Sequence, residues 1–561
     1  MSLLDSLFLD PAPFDVWVAI RTDGIKGSGT LNDPYDGSTQ SKFDSLMSGY
    51  AANTRVHLGP GTFTTQGYYD GAASGYGWQP KPAMKIIGSG IDVTTIQLAS
   101  SLPTNNVHYF AIGHALSTGT APNQVANPMD FCEVSDLTID SNLAGQGSNT
   151  VACGAVRLFG SHVRVRRVKA KNWGNKLPSN LPSNLGFVLA VVVADPDTNA
   201  AMIDAGIEDC LALTPATNTS RDVLILHAGG KDYDATNQLE AYGTGPFIRN
   251  CFVDCDSTGS LGANVSTDYH RFFRGLSMSS CKGGVIEGNQ VHNTWYGGPY
   301  LTKWSARGIV ARNNFYKNVV TGPFLNLPAP GSMTNVTLFT LPNSSPDTTV
   351  EATATNHPLA AGDRVKISQG TDPLLNGVFV VTALTSANTF QYKASARPNP
   401  AGTGKMQKVL GVEKVVVEAN VVELATLPSG QTPAWPTPVG VQLAADPSAA
   451  AALAYVYGDV IIRENKIRYV DGLFDPSFLG YPLNVQGARN LIVRENVLES
   501  APPGVAPLQN SLCGSVSYFN DETPAGVLVQ GVQTDATPNK KYAELATNAE
   551  DAFVLAFLNK R

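Results

Sequence analysis

The chain has 561 residues, 15 % of them charged and 43 % hydrophobic, with 53 glycines, 36 prolines and a formal net charge of −7 at pH 7. Such a composition is globular and turn-rich, which excludes a disordered chain. The acidic balance excludes nucleic acid as a general partner, because phosphate binding needs a basic face.

The opening stretch "MSLLDSLFLDPAPFDVWVAI" has no basic leader and no long apolar core. Neither a secretory signal nor a membrane span is expected from it, so an extracellular role implies another route, such as release on a virion or a similar particle. Next come "RTDGIKGSGTLNDPYDGST", a short predicted helix in "QSKFDSLMSGY", and two strand-like stretches, "TRVHLGPGTFTT" and "MKIIGSGIDVTTIQLAS". Between these strands stand Tyr68, Tyr69, Tyr76 and Trp78, read either as a sugar-facing aromatic cluster or as loop packing. The seven cysteines (Cys132, Cys153, Cys210, Cys251, Cys255, Cys281 and Cys513) form no CxxC pair. They are expected to be buried free thiols.

A phrase then recurs along the chain. "VIIRENKIRYV" at Val460 and "LIVRENVLES" at Leu491 align on Asn465 and Asn496, with apolar residues five and three before the asparagine and two after it. Copies upstream place Leu137, Val168, Cys210, Cys251, Asn289, Asn314 and Asn420 at the same slot. Alternating β-branched residues mark each copy as a coil of strands rather than a helical unit. One coil cannot bury its own face, so the coils must stack. The fold class expected is all-β: a parallel β-helix in which Cys210 and Cys251 lie on neighbouring coils.

The interval between Asn314 and Asn420 is too long for one repeat. Its excess alternates Val, Ile, Phe and Thr between Gly, Asn and Pro turns and reads as a small antiparallel β-barrel at 334–408. The divisions expected are therefore 1–100 for the N-terminal cap and first coils, 101–333 for the β-helix, 334–408 for the insert, 409–510 for the β-helix continued, and 511–561 for a C-terminal region. In the last, Tyr542, Leu545, Ala549, Ala552, Phe553 and Phe557 recur at helical spacing and predict a helix covering the open end of the stack. A sparse basic face argues against this helix lying on a membrane.

Two outward rows carry charge. Two residues before the slot stand Arg166, Glu208, Arg249, Glu287, Arg312, Glu418, Arg463 and Arg494. Opposite charges facing one another on stacked strands predict an ion-pair ladder that fixes coil order; the functional alternative is a binding strip for an acidic glycan. Three residues after the slot stand Asp140, Lys171, Asp254, His292, Lys317, Glu423, Arg468 and Glu499. Asp254 and Asp256 share a strand face, and Asp268, His270 and Arg271 follow closely. Paired carboxylates are the chemistry of glycoside cleavage, so Asp254, Asp256, Asp268 and His270 are the candidate catalytic residues. Trp295, Tyr296, Tyr300 and Trp304 fall in one stretch, expected to be a loop, and with Arg271 and His292 they are the candidate substrate-binding residues, because an apolar ring face suits a sugar while polar edges stay wet. No P-loop, Rossmann, HExxH or nucleophile-elbow pattern is present, and neither a cofactor nor a metal site is expected.

The order of the N-terminal stretches, "GT…P", helix, "GPGTFTT" and "GSGIDVTTIQL", resembles the opening of pectin-lyase-like right-handed parallel β-helix proteins. That resemblance implies the fold over most of the chain. The catalytic set of polygalacturonases is absent, as is a clear pectate-lyase calcium cluster, so it transfers no catalytic residue. The insert pattern "NHPLAAGDRVKIS…LNGVFVVTAL…NTFQYK" looks like modules of phage tail and surface proteins. Together these imply a particle-borne tail spike or fibre that binds surface polysaccharide, as a homo-oligomer, usually a trimer. A stand-alone polysaccharide lyase or glycoside hydrolase and a non-catalytic adhesive rod are the alternatives, and the residues leave cleavage open.

Overall fold

The computed structural model describes residues 14–70, 77–113, 129–176, 185–192, 203–213, 221–228, 243–254, 274–279, 281–294, 298, 300–302, 308–327, 334–357, 359–408, 412–424, 439–445, 457–469, 481–486, 488–498, 508–511, 515–521 and 529–533. The described part of the rod is a stack of coils. Strand Phe14–Ala19 pairs in parallel with Thr54–Leu58, and the parallel pairing runs on coil by coil to Ser515–Asp521. A second sheet stacks Val107–Gly113, Val151–Phe159, Leu185–Val192 and Arg221–Ala228, and continues through Arg274–Ser279 to Leu508–Ser511. Each coil passes through the first sheet, bends at the slot, and crosses to the second sheet. This is a parallel β-helix, with its apolar core enclosed between the sheets.

The bend explains the repeated phrase. The residue just before the slot has positive φ in all nine copies, from Asp136 at 59° through Arg167, Asp209, Asn250, Gly288, Asn313, Ala419 and Glu464 to Glu495 at 58°. A left-handed residue turns the strand and throws the slot side chain inward. Val460, Ile462 and Ile467 are fully buried, as are their counterparts Leu491, Val493 and Leu498. At the slot itself, buried asparagines form a hydrogen-bonded ladder: Nδ2 of Asn289, Asn314, Asn420 and Asn465 each donates to Oδ1 of the next, at 2.9 Å. Each of these amides also donates to the carbonyl three residues before the slot of the preceding coil, as Asn289 does to Ile248 O at 3.1 Å. Cys251 and Cys210 occupy the same slot and aim their thiols at the equivalent carbonyls, those of Ile207 and Val165. Both are buried and free, on adjacent coils as the repeat implied.

At the N-terminal end, the helix Gln40–Gly49 is capped by Thr39, whose hydroxyl accepts from Lys42 N. It buries Phe43 and Met47, one turn apart, in the same core. Tyr68, Tyr69 and Trp78 are buried rather than sugar-facing, and Trp78 Nε1 donates to Thr65 Oγ1 at 2.9 Å, so this cluster packs its own turns. Tyr76 and the helix expected between Tyr542 and Phe557 lie outside the described residues.

The strands between Thr334 and Lys408 form a seven-stranded antiparallel sheet with its own core, which includes Val350, Phe390 and Tyr392. Thr334–Val336 and Leu338–Thr340 are one run interrupted only at Thr337. The first half pairs with Gly404–Lys408 and the second with Thr349–Thr353, which closes the sheet into a barrel. On either side of it the rod continues, with Ile309 opposite Val415 and Arg312 opposite Glu418, and the next strand pair shifts register only between Lys317 and Val319.

Candidate functional site

The two charged rows stand where the repeat places them, except that Glu499 lies outside the described residues. In the first, Arg166, Glu208, Arg249, Glu287, Arg312, Glu418, Arg463 and Arg494 are successive register partners. Glu287 lies 2.8 Å from Arg312 and 3.7 Å from Arg249, and Arg463 Nε donates to Glu418 at 2.7 Å. Arg166 instead reaches back to Glu133, at 3.7 Å. The like-charged neighbours Arg463 and Arg494 are each offset by the left-handed residue that follows, Glu464 at 3.9 Å and Glu495 at 4.0 Å. Opposite charges thus meet along most of the row, as an ion-pair ladder requires. Each half-exposed pair contributes about 0–1 kcal/mol.

The second row holds the candidate site. Strand Phe252–Asp254 pairs with Gln290–His292, and Asp254 stands opposite His292, which stands opposite Lys317. Asn293, in a left-handed conformation, donates from Nδ2 to Asp254 Oδ1 at 2.8 Å, and Asn318 donates to Asn293 Oδ1 at 2.7 Å. This short outer amide chain holds the carboxylate in place. The His292 ring meets Phe252 and Phe315 edge-on, with centroids 5.0 and 5.7 Å away. Its Nε2 is buried and has no hydrogen-bond partner. Burial lowers the His292 pKa, with Asp254 pulling the other way and Lys317 adding to the depression. The imidazole is therefore neutral at neutral pH and able to accept or donate one hydrogen bond.

Asp256, Asp268, His270, Arg271, Trp295, Tyr296 and Trp304 lie outside the described residues. Tyr300, expected within the loop, instead begins the strand Tyr300–Thr302, in register with Ser277 on one side and Phe324 on the other. Its place on the second sheet follows from the tight return of the chain after His292: the next coil must cross to that sheet within a few residues.

One group went unnoticed in the sequence. Arg157 is 3 % exposed, with its guanidinium 4.6 Å from the Phe110 ring centroid and 5.9 Å from that of Tyr68. His108 lies in the same region, and its pKa is pushed down to about 3, first by burial and then by the Arg157 charge. The signal was a lone arginine inside the apolar strand "VACGAVRLF". Among the described residues, no group of three or more His, Cys, Asp or Glu side chains gathers to hold a metal ion, and no helix is long and apolar enough to cross a membrane.

No family model and no curated protein matches the sequence. Among solved structures, the chain is similar to PfbA, a surface adhesin of Streptococcus pneumoniae, at 11 % identity, covering 86 % of this chain and 85 % of that one with a TM-score of 0.40. It is similar to a hyperthermoactive exopolygalacturonase from Thermotoga maritima at 9 % identity, with coverage of 89 % and 91 % and a TM-score of 0.37. It is also similar to WceF of Pantoea stewartii, a glycan biofilm modifying enzyme with a tailspike-like parallel β-helix fold, at 12 % identity, 66 % and 58 % coverage and a TM-score of 0.28. The architecture is that of a parallel β-helix, and it follows from the strand register described above.

Proposed function

We propose that this β-helix is a polysaccharide-binding rod, carried on a particle as an oligomeric tail-spike- or fibre-like protein. One observation carries the reading: Asp254 and His292 are register partners on adjacent coils. The chain leaves the first of these coils at Asp254 and re-enters the second sheet at Arg274. It leaves the next at Thr294 and re-enters at Tyr300. Asp256, Asp268, His270 and Arg271 belong to the first connection, and Trp295 and Tyr296 to the second. Asp254 and His292 thus stand about one strand spacing apart on neighbouring coils, and the two connections that follow them in sequence carry the remaining candidate carboxylates, histidine, arginine and aromatics. Aromatic faces supply contact area for a sugar, and the charged row supplies orienting hydrogen bonds.

The test is a panel of purified polysaccharides against the full chain, read by titration calorimetry and by release of reducing ends. Trp295→Ala and Trp304→Ala are expected to weaken binding of a bound glycan about tenfold or more while the melting temperature stays unchanged. Unchanged affinity in both variants overturns this site. If reducing ends are released, Asp254→Asn and Asp256→Asn should abolish the release and largely spare binding. Light scattering of the native protein is expected to give the mass of three chains, and a monomer would count against the spike reading.

A further inference from the structure

We propose that the outer face of the first sheet, ahead of the bend, is the surface through which copies of this chain associate side by side and parallel. The proposal rests on the oligomeric reading above and deepens it by naming the contact. Four residues before the slot, the outward row begins with charge: Asp15, Arg55, Lys85, Glu133 and Arg164 are register partners on the first five coils. After Gly206 the same row becomes apolar. Phe247, Val285, Val310, Val416, Ile461 and Ile492 follow as register partners on six successive coils. The next residue along each strand, such as Ile286, Ile462 or Val493, belongs to the core, so alternation sends the row outward.

Arg164 and Arg249 lie over the Phe247 ring, with the guanidinium carbons 4.9 and 4.5 Å from its centroid. Val285, Val310, Ile461 and Ile492 remain partly exposed. Stacked neighbours cover each of these side chains from above and below, so what stays exposed is the outer edge of a continuous stripe. A run of apolar residues facing outward gains nothing from water and marks a contact surface.

The residues beside the stripe identify the partner. Six residues before the slot, on one side, stand Gly245, Gly283, Gly308, Lys414 and Asp459. Two residues before it, on the other side, stand Arg249, Glu287, Arg312, Glu418, Arg463 and Arg494. Two copies facing each other, related by rotation about an axis along the rods, set the first side of one against the second side of the other at the same height. Lys414 then meets Glu418, and Asp459 meets Arg463. The three glycines leave room for Arg249, Glu287 and Arg312. A side chain at Gly245 or Gly283 would begin in open space, with nothing within 4 Å. Inverted copies matched along the whole stripe would instead set Arg249 against Arg494, which is repulsive. The complement of this face is therefore the same face of a parallel copy. Asp254 and His292 lie beyond the bend and take no part in the contact.

The experiment uses the full chain. Val310→Lys and Ile461→Lys should each reduce the mass seen by light scattering to that of one chain, because a lysine in the stripe would be desolvated on association. Circular dichroism should keep its strand signal. Should these variants fail to fold, crosslinking gives the answer. Lys414→Cys together with Glu418→Cys, treated with a short bis-maleimide, should join copies above the level of the parent, and Lys414→Cys alone should not. Within one chain the two positions are about 13 Å apart along the strand, beyond the reach of that reagent. Joining in Lys414→Cys alone means inverted packing and overturns the proposal, as does no joining in the double variant. An oligomer that keeps its mass in both lysine variants overturns this face and leaves the oligomeric reading standing. A monomeric parent overturns both.

Discussion

Asn314 and Asn420 are 106 residues apart in the chain, and Nδ2 of the first donates to Oδ1 of the second at 2.9 Å inside the rod. The backbone N–H of Asn314 donates to the same oxygen at 3.0 Å. One side chain thus joins the coils on either side of an inserted barrel. Asn420→Ala would leave both donors, and the Ala311 carbonyl, without their partner. A loss of about 2–4 kcal/mol is expected in urea unfolding. Asn490→Ala, which removes an exposed bond to Asp459, is the control and should cost about 0.5 kcal/mol or less. Equal losses would mean that the ladder is not a main source of stability.

Removal of residues 334–408, with the flanking coils joined by a short linker, should leave a rod that unfolds cooperatively, because the coils on either side already pair in register. Circular dichroism and a thermal melt decide it. A deletion variant that melts without a transition would show that the barrel supports the rod.

Cys210 and Cys251 are buried, and burial, reinforced by the neighbouring Cys210, raises the Cys251 thiol pKa well above its ordinary value. Aromatic disulfide reagents should therefore modify them in native protein at least about a hundredfold more slowly than after unfolding, because the thiolate is the nucleophile. Rapid native modification of both positions, located by mass spectrometry, would contradict the register.

His108 makes a pH prediction with a definite sign. Its folded pKa, about 3, lies below the ordinary value of about 6.5. The neutral form is the one that folds, so its contribution is complete above pH 6.5 and is lost as pH falls toward 3. By pH 4 the loss amounts to about 3 kcal/mol. His108→Gln should flatten that part of the stability–pH curve relative to the parent. Identical slopes between pH 6.5 and 4 would show that His108 accepts a proton without strain.

Glu464 and Glu495 sit beside the like-charged pair Arg463 and Arg494. Glu464→Gln together with Glu495→Gln should lower stability by about 0.5–1 kcal/mol at low salt, and 1 M salt should remove most of the difference. A salt-independent loss would point to the turn conformation instead of charge.

The rod was legible because its register is written in side chains. Inward Val, Ile and Leu at fixed offsets from Asn465 and Asn496 locate both the core and the ladder, and the matching offsets of Asp254 and His292 foretold their pairing. The barrel announced itself by breaking the repeat interval. The left-handed residues did not show, since Arg167, Ala419 and Glu495 are not residue types that signal positive φ. Tyr300 was misplaced for a related reason: a three-residue strand between turns carries too little alternation to be seen. Arg157 stayed hidden because burial of a polar side chain depends on the neighbouring coils, which no local pattern records.

The pairing of Thr334–Val336 with Gly404–Lys408 brings the two ends of the barrel side by side. This has a consequence for the order of events during synthesis. The coil after the insert must find the coil before it, and a floppy intervening chain would make that search longer. A barrel that folds as it emerges shortens the effective loop to its two short flanks, which lowers the closure cost by about 1 kcal/mol. The ribosome would then release a spliced template, ready for Val412–Glu418 to dock on Ile309–Arg312. A barrel slowed in folding would stall the growing rod at this coil, with the strand edge of Ile309–Arg312 open to other chains.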